Sequence, residues 1–461
     1  MNMHRPYALA VASLLLGACA STSPAPVVRG VQELVHARSG QTPVWLGDES
    51  AAQQARDEVH SLTKGDLSLA SALRVSLLAN RSLQASFEEL GVAQADVVQS
   101  GLLKNPTLSG AYGVPLDEGF MPRTELSLGV ELLQLFTLGT RKDIARAGLE
   151  SAKFRVVEAT LRHLYEVKSA YFAFQAAQQT FEMRTAVNEM AAAGVELAVR
   201  QNAAGGLNDL DLSVEQAAYA QWSIDLARTR AELAQARERL NRAMGVWGED
   251  ASWRVDTTMA VMPSLELSLD HAESRAVASS PVLVAARKDA ELVSYGLALV
   301  KNTRWVGGVD AGVSFERGPE HVRLIGPSLS VELPIFDQRQ AAVARLEAQL
   351  RQAKHRELAV AVDVRSEIRD LVARLQVARG IVDGYQRTLI PLRERVVALS
   401  QEQYNAMLLG VYQLIAAKQS EIATYKEYIE ALRDYWTLRS ELEWKSGGAV
   451  RQVLEEGSPR P

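Results

Sequence analysis

From Thr124 to Leu132 the apolar residues Leu126, Leu128, Val130 and Leu132 alternate with Glu125, Ser127, Gly129 and Glu131. Strict period-two alternation predicts a strand with one apolar face and one small, acidic face. The end of this stretch, SLGVEL at Ser127–Leu132, returns as SLSVEL at Ser328–Leu333, about two hundred residues later. Strands are expected at 107–114, 124–132, 304–316 and 322–333. In the third, Trp305, Val309, Ala311, Val313 and Phe315 oppose Gly308, Asp310, Gly312, Ser314 and Glu316. The fourth is less regular: Arg323 shares parity with Leu329 and Val331, and Pro327 requires a bulge or an edge.

The remaining pattern is helical. From Thr140 to Arg200 there is no proline, and Ala, Glu, Arg and Leu dominate, which predicts a helix of about sixty residues, roughly 90 Å long. Gly205-Gly206 ends it, and a second helix is expected over 209–244. Helices are likewise expected over 67–103, where Asn105-Pro106 stops the first, over 267–300 and over 338–407. After a turn at Gly410 a last helix runs to about Trp444.

These elements form a duplicated unit. Leu67-Ser68-Leu69 corresponds to Leu267-Ser268-Leu269, the SLxVEL phrases correspond, and Gly206 corresponds to Gly410, all in the same order with nearly constant offset. The domain expectation is a first repeat at 67–264 and a second at 265–447, with a linker segment at 19–66 and a polar tail at 448–461. In each repeat a long helix is followed by a helix of about half its length. The helix opening the next repeat fills the remaining length, so four columns per chain form a helical body.

Four strands are too few to close a barrel with an interior, whereas two chains bring eight and three bring twelve. Lipid outside and water inside suit the alternation, so the chain is expected to assemble with copies of itself. A sheet on a soluble core would alternate in the same way, but little here is left to cover the apolar faces.

Composition narrows function mainly by exclusion. With 461 residues, 23% charged residues and a net charge of -5, nothing points to nucleic acid. No segment of about eighteen apolar residues predicts a membrane-spanning helix. The seven histidines, His4, His36, His60, His163, His271, His321 and His355, are scattered, with no metal-ligating or phosphate-binding motif, so neither catalysis nor a cofactor is expected. The one cysteine, Cys19, follows Arg5, an apolar run from Ala8 to Leu16 and the sequence Leu16-Gly17-Ala18. Residues 1–18 read as a secretory signal. Leu-Gly-Ala-Cys resembles a bacterial lipoprotein signal, in which Cys19 takes a diacylglycerol; Ala20 after it implies the outer membrane.

With LSLASALRVSLLANRSL at Leu67, LLKNPTLSG leading into the first strand, SLGVELLQLF and SLSVELPIFD leaving the hairpins, and glycine-bearing helical turns, the chain resembles the TolC-like outer-membrane efflux factors from about Leu67 to Gly447. The resemblance implies a fold that is mainly α with a membrane β-barrel: long helical hairpins in a periplasmic α-barrel and four strands per chain in a shared, trimeric, twelve-stranded barrel. It implies a passive conduit in a tripartite efflux pump or type I secretion system, embedded in outer-membrane lipid, with a periplasmic adaptor (membrane fusion) protein and a proton-driven inner-membrane pump as partners. Leu138-Gly139-Thr140-Arg141 leans toward the heavy-metal branch.

In the family the tip turns read roughly Val-Gly-Leu and Val-Gly-Thr and meet the adaptor. The corresponding residues are Gly205, Gly206 and Leu207, and Leu409, Gly410 and Val411; the glycines match, the flanking residues mostly do not. Family members narrow the periplasmic entrance just beyond the tip, where this chain has Asp209, Asp211 and Glu215 in the first repeat and Gln413 and Gln419 in the second. The alternative from another class is a lipid-anchored periplasmic coiled-coil adaptor or scaffold, with the strands in a soluble domain.

Overall fold

The computed structural model describes residues 22–114, 116, 122–263, 271–318 and 322–448. Cys19, the signal at 1–18, His4, His321, Leu267-Ser268-Leu269 and the tail beyond Gly448 lie outside them.

In chain order the elements are α1 (Ala25–Ser39), α2 (Glu49–Thr63), α3 (Leu69–Ala79), α4 (Arg81–Ser100), β1 (Thr107–Gly113), β2 (Arg123–Glu131), α5 (Leu133–Ala203), α6 (Asp209–Met244), α7 (Ala272–Ser279), α8 (Pro281–Thr303), β3 (Val309–Arg317), β4 (Arg323–Val331), α9 (Gln340–Gly384), α10 (Ile390–Asn405) and α11 (Val411–Lys445). Among the described residues the strands form one antiparallel sheet of order β1-β2-β3-β4.

The chain divides into two compact units. One contains Phe87–Val156 and Pro281–Ala361, hence the sheet, α8 and the first parts of α5 and α9. The other contains Gln32–Ser86, Val157–Ser280 and the chain from Val362 onward, hence both helical turns. Each half of the chain therefore contributes to both units.

In the sheet-bearing unit, helices approach closely over small residues: a Cβ on Gly148 would touch Leu292 Cδ1 at 3.3 Å. Asp289 on α8 accepts from Ser151 Oγ (2.7 Å) and from Arg155 (2.8 Å) on α5, so a buried hydroxyl and a cation share one carboxylate. The other unit has a fully buried core that includes Leu67, Leu77, Leu240, Met244, Trp253, Ile368, Leu375, Tyr435 and Leu442. Gly245 ends α6 at φ 78, and a Cβ there would lie 2.8 Å from Asn80 Cα, so both conformation and space require glycine.

Several expectations need correction. The segment 19–66 is not merely a linker: α1 and α2 occupy most of it, with Val28, Val31, Val35, Ala55 and Val59 buried at helical spacing. The helices expected over 67–103 and 267–300 are each broken. Asn80 leaves helical conformation and accepts from Leu83 N (3.0 Å), which caps α4; Ser280 is forced extended by Pro281, the first residue of α8. The helix expected over 338–407 is interrupted by a π-helical turn at Tyr385–Leu389. Pro391 has no N–H and crowds the preceding turn, and the wider turn accommodates that. Finally, α5 starts at Leu133, directly behind β2, and runs 71 residues, whereas Trp305 precedes β3.

Candidate functional site: a two-faced sheet and the helical turns

Register follows the alternation. One face carries the cross-strand rows Leu108–Leu128–Val313–Pro327, Gly110–Leu126–Phe315–Ile325, Val130–Ala311–Leu329 and Val309–Val331. The opposite face carries Ser109–Ser127–Ser314–Gly326, Thr107–Gly129–Gly312–Ser328, Ala111–Glu125–Glu316–Leu324 and Glu131–Asp310–Ser330. The apolar face is uncovered: Leu108 is 73% exposed, Ile325 77% and Leu329 70%. Water disfavours such a face, and it exceeds the scattered apolar residues of an ordinary surface.

The polar face is acidic. Glu125 and Glu316 stand directly opposite each other, and Arg123 reaches Glu316 at 2.8 Å and Glu125 at 3.7 Å. At the helical end Lys104 Nζ lies 2.9 Å from Glu131, and Glu332 accepts from Gly308 N at 2.9 Å.

Among the described residues both outer strands have open edges. Glu332 N donates to Gly308 O (2.9 Å) and Gly318 N to Val322 O (3.1 Å), so Val313 and Pro327 form a pair without mutual hydrogen bonds. The Pro327 nitrogen therefore faces away from β3, toward the free edge, where a missing donor costs β3 nothing. The edge expectation for Pro327 is met without a bulge.

At the first helical turn Gly205 adopts φ 72, with Gly205 N donating to Asn202 O (2.9 Å) and Gly206 N to Gln201 O (2.8 Å), a Schellman closure. The second turn is closed identically by Met407 N to Tyr404 O (2.9 Å) and Leu408 N to Gln403 O (2.9 Å), with Met407 at φ 59. The structural counterpart of Gly205 is thus Met407. Gly410 is the N-cap of α11 and corresponds to Asn208, the N-cap of α6, rather than to Gly206. Leu207 and Leu409 occupy equivalent places between closure and cap, and Val411 begins α11.

The predicted gate residues separate. Asp209 Oδ1 accepts from Asn202 Nδ2 of its own turn (3.0 Å), and Asp211 N is capped by Asn208 Oδ1 (2.8 Å). Both carboxylates sit in the first turn of α6, where the helix dipole favours them. Asp211 and Glu215 also act on Tyr412 of α11: burial first, and then these two charges, raise its phenol pKa above the ordinary value. Tyr412 Oη approaches Gln201 Oε1 at 3.3 Å, joining the two hairpins. Gln413 is used locally, its Oε1 accepting from Gly410 N (3.0 Å). Gln419 is apart from the others, on a cavity of about 160 Å³ with Arg184, Trp222, Lys426 and Glu427. Sequence reasoning missed Asn208, Tyr412 and Gln201; an Asn directly before Asp-Leu-Asp is an N-cap signal that was available.

Among the described residues no helix is long and apolar enough to cross a membrane, and no group of three or more His, Cys, Asp or Glu could hold a metal ion.

No protein-family model matches the sequence. The chain is 23% identical over 360 residues to the cobalt-zinc-cadmium resistance protein CzcC of Cupriavidus metallidurans, covering 75% of this chain and 80% of that protein. Among solved structures, the outer-membrane channel OprN superposes with a TM-score of 0.68 at 16% identity, over 87% of this chain and 92% of that one. The Campylobacter jejuni CmeC outer membrane channel superposes with a TM-score of 0.66 at 13% identity, over 88% and 89%. The fold is that of the TolC-like outer-membrane channels. A mainly helical chain with one four-stranded sheet, open at both edges and apolar on one face, is the TolC-like arrangement expected from the sequence.

Proposed function

We propose that this chain is the outer-membrane channel of a tripartite efflux system, in which three copies close a twelve-stranded barrel and their helical hairpins form a periplasmic conduit. The uncovered apolar face on a sheet with two free edges carries this reading, because lipid covers such a face and neighbouring copies complete such edges. A scaffold protein with a soluble sheet would leave that face in water. The 67–264 and 265–447 repeats are then two structurally similar halves of each protomer's share of the barrel. Cys19 anchors the mature chain by a diacylglycerol, and an adaptor meets the turns at Gly205–Leu207 and Leu409–Val411. The chain itself is a conduit and performs no catalysis.

The cargo is a divalent metal cation supplied by an inner-membrane, proton-driven pump. Two observations support this: the relative CzcC is a cobalt-zinc-cadmium resistance protein, and the polar strand face carries Glu125, Glu131, Asp310, Glu316 and Glu332 against Arg123 and Lys104. Dispersed carboxylates raise local cation concentration without holding the ion, which is what conduction requires. At the periplasmic mouth Asp209, Asp211 and Glu215 attract cations, while the Tyr412–Gln201 contact holds the two hairpins of a chain together.

Planar-bilayer recording tests the proposal. The expected outcome is low, cation-selective conductance, and the combined change Asp209→Ala, Asp211→Ala and Glu215→Ala raises conductance and weakens selectivity. A stable monomer in detergent with full secondary structure would overturn the channel reading; unchanged conductance and selectivity in the triple variant would leave these acids only the capping role.

A further inference from the structure

The apolar face of the sheet ends in an unexpected row. Tyr112 pairs with Thr124, Thr124 with Arg317, and Arg317 with Arg323, and by strand alternation all four share the face of Leu126, Phe315 and Ile325. This row lies at the hairpin-turn end of the sheet, opposite the end where β2 runs into α5. Arg317 and Arg323 are both exposed, and neither has a carboxylate partner among the described residues. Arg123, two residues from Glu125 on the other face, is paired with Glu316 and Glu125.

Two guanidinium groups directly opposite each other on one sheet face repel, which destabilises the pair unless an anion lies between them. The sequence also carries Asp117 and Glu118 between β1 and β2 and Glu320 between β3 and β4. Resting on the channel reading, the face bearing this row is in contact with lipid, and the row lies where the apolar band meets the headgroups of the leaflet away from the helices. Tyrosine is favoured at that depth, as Tyr112 is here. At that depth an outward-facing side chain meets lipid headgroups, and the planar guanidinium fork suits a phosphate.

We propose that Arg317 and Arg323 form a binding site on the outside of the barrel for the phosphate of a phosphorylated membrane lipid in the leaflet at the hairpin-turn end. The lipid neutralises the arginine pair, and the acyl chains lie along Ile325, Leu329 and Val331.

The test is native mass spectrometry of the full-length protein in detergent, titrated with bisphosphorylated lipid A or with the same acylated disaccharide lacking phosphates. The wild type retains the bisphosphorylated lipid, and R317Q/R323Q binds it about tenfold or more weakly, as expected for losing charge-assisted hydrogen bonds. R123Q, on the opposite face, changes binding within about twofold. If R317Q/R323Q fails to assemble, R317K/R323K serves instead: it keeps the charge, loses the bidentate fork and binds more weakly than wild type. Equal binding of both lipids by the wild type, full binding by an assembled R317Q/R323Q, equal loss in R123Q, or displacement by inorganic phosphate at the lipid's own concentration would each overturn the site. The same spectra report the oligomer mass. A wild type that never assembles overturns the channel reading together with this site, whereas an assembled one without phosphate-dependent binding overturns the site alone.

Discussion

Replacing Gly312 by alanine perturbs the sheet at its most crowded point. Gly312 faces Gly129 in a pair without mutual hydrogen bonds, where antiparallel backbones come closest. An added Cβ would fall far inside contact distance of the Leu128 carbonyl oxygen, 3.0 Å from Ser328 Oγ and 3.1 Å from Gly129 Cα. Two of these three neighbours are backbone, so a rotamer change cannot relieve the clash and the strands must separate. Overpacking of this kind costs about 1–3 kcal/mol per chain, and a barrel of several chains incurs it once per chain. Gly326 is the internal control: it lies on the same face in the next row, and a Cβ there meets nothing within 4 Å. The assay is the temperature at which the unheated, folded oligomer disappears from a detergent gel. Gly312→Ala should lower it clearly and Gly326→Ala should leave it nearly unchanged. Equal midpoints for the two variants would refute the register assigned to β2 and β3.

Further outcomes are expected elsewhere. His163 is buried with Nε2 unpartnered, and burial lowers its pKa to about 4, so between pH 6.5 and 4 the unfolded chain binds more protons than the folded one. Stability therefore falls as pH drops through that window, by ~3 kcal/mol per chain at pH 4, and His163→Phe should flatten the pH profile of the melting temperature. Cys19→Ala should abolish acyl labelling while the protein still fractionates with detergent-extracted membrane, because twelve strands hold more firmly than one lipid group; wholly soluble protein would contradict the barrel. Met407→Gly should increase amide-exchange protection of the second turn by a few tenths of a kcal/mol and Gly205→Ala should decrease that of the first, since only glycine occupies positive φ without strain.

The strand faces were legible because a period of two is a local property: once Leu126, Leu128 and Val130 alternate with Glu125, Ser127, Gly129 and Glu131, no tertiary contact can move them to the other face without breaking the register. The helical turns were legible in place but not in alignment. Matching Gly206 to Gly410 relied on residue identity, whereas the closure depends on conformation, and a methionine at φ 59 runs against its own preference. The bonds from Met407 N to Tyr404 O and from Leu408 N to Gln403 O hold Met407 there, and no propensity records them. The segment 19–66 was expected to be a linker, although Val28, Val31 and Val35 stand at helical spacing and mark the buried face of α1. Which of Asp209, Asp211 and Glu215 matters could not be read from composition. All three are acids just past a glycine turn; Asp209 and Asp211 each accept from an asparagine of their own turn, and Asp211 and Glu215 also raise the phenol pKa of Tyr412.

The open edges make assembly and insertion a single problem. In β1 and β4 roughly half of the backbone donors and acceptors point away from the sheet. In water these groups bond to solvent at little cost, but in hydrocarbon each unsatisfied group costs several kcal/mol. A lone chain therefore cannot enter the bilayer by burying its apolar face: what Leu108, Ile325 and Leu329 would gain, the bare edges of the same strands would lose. Pro327 lightens the demand by one donor on β4, and it also withholds that donor from β1 of a neighbouring copy. The favourable path is closure of β4 onto a neighbour's β1 before or during insertion. On this argument the two hairpins of one chain come already joined through β2 and β3, which leaves only one seam per chain to be formed between molecules.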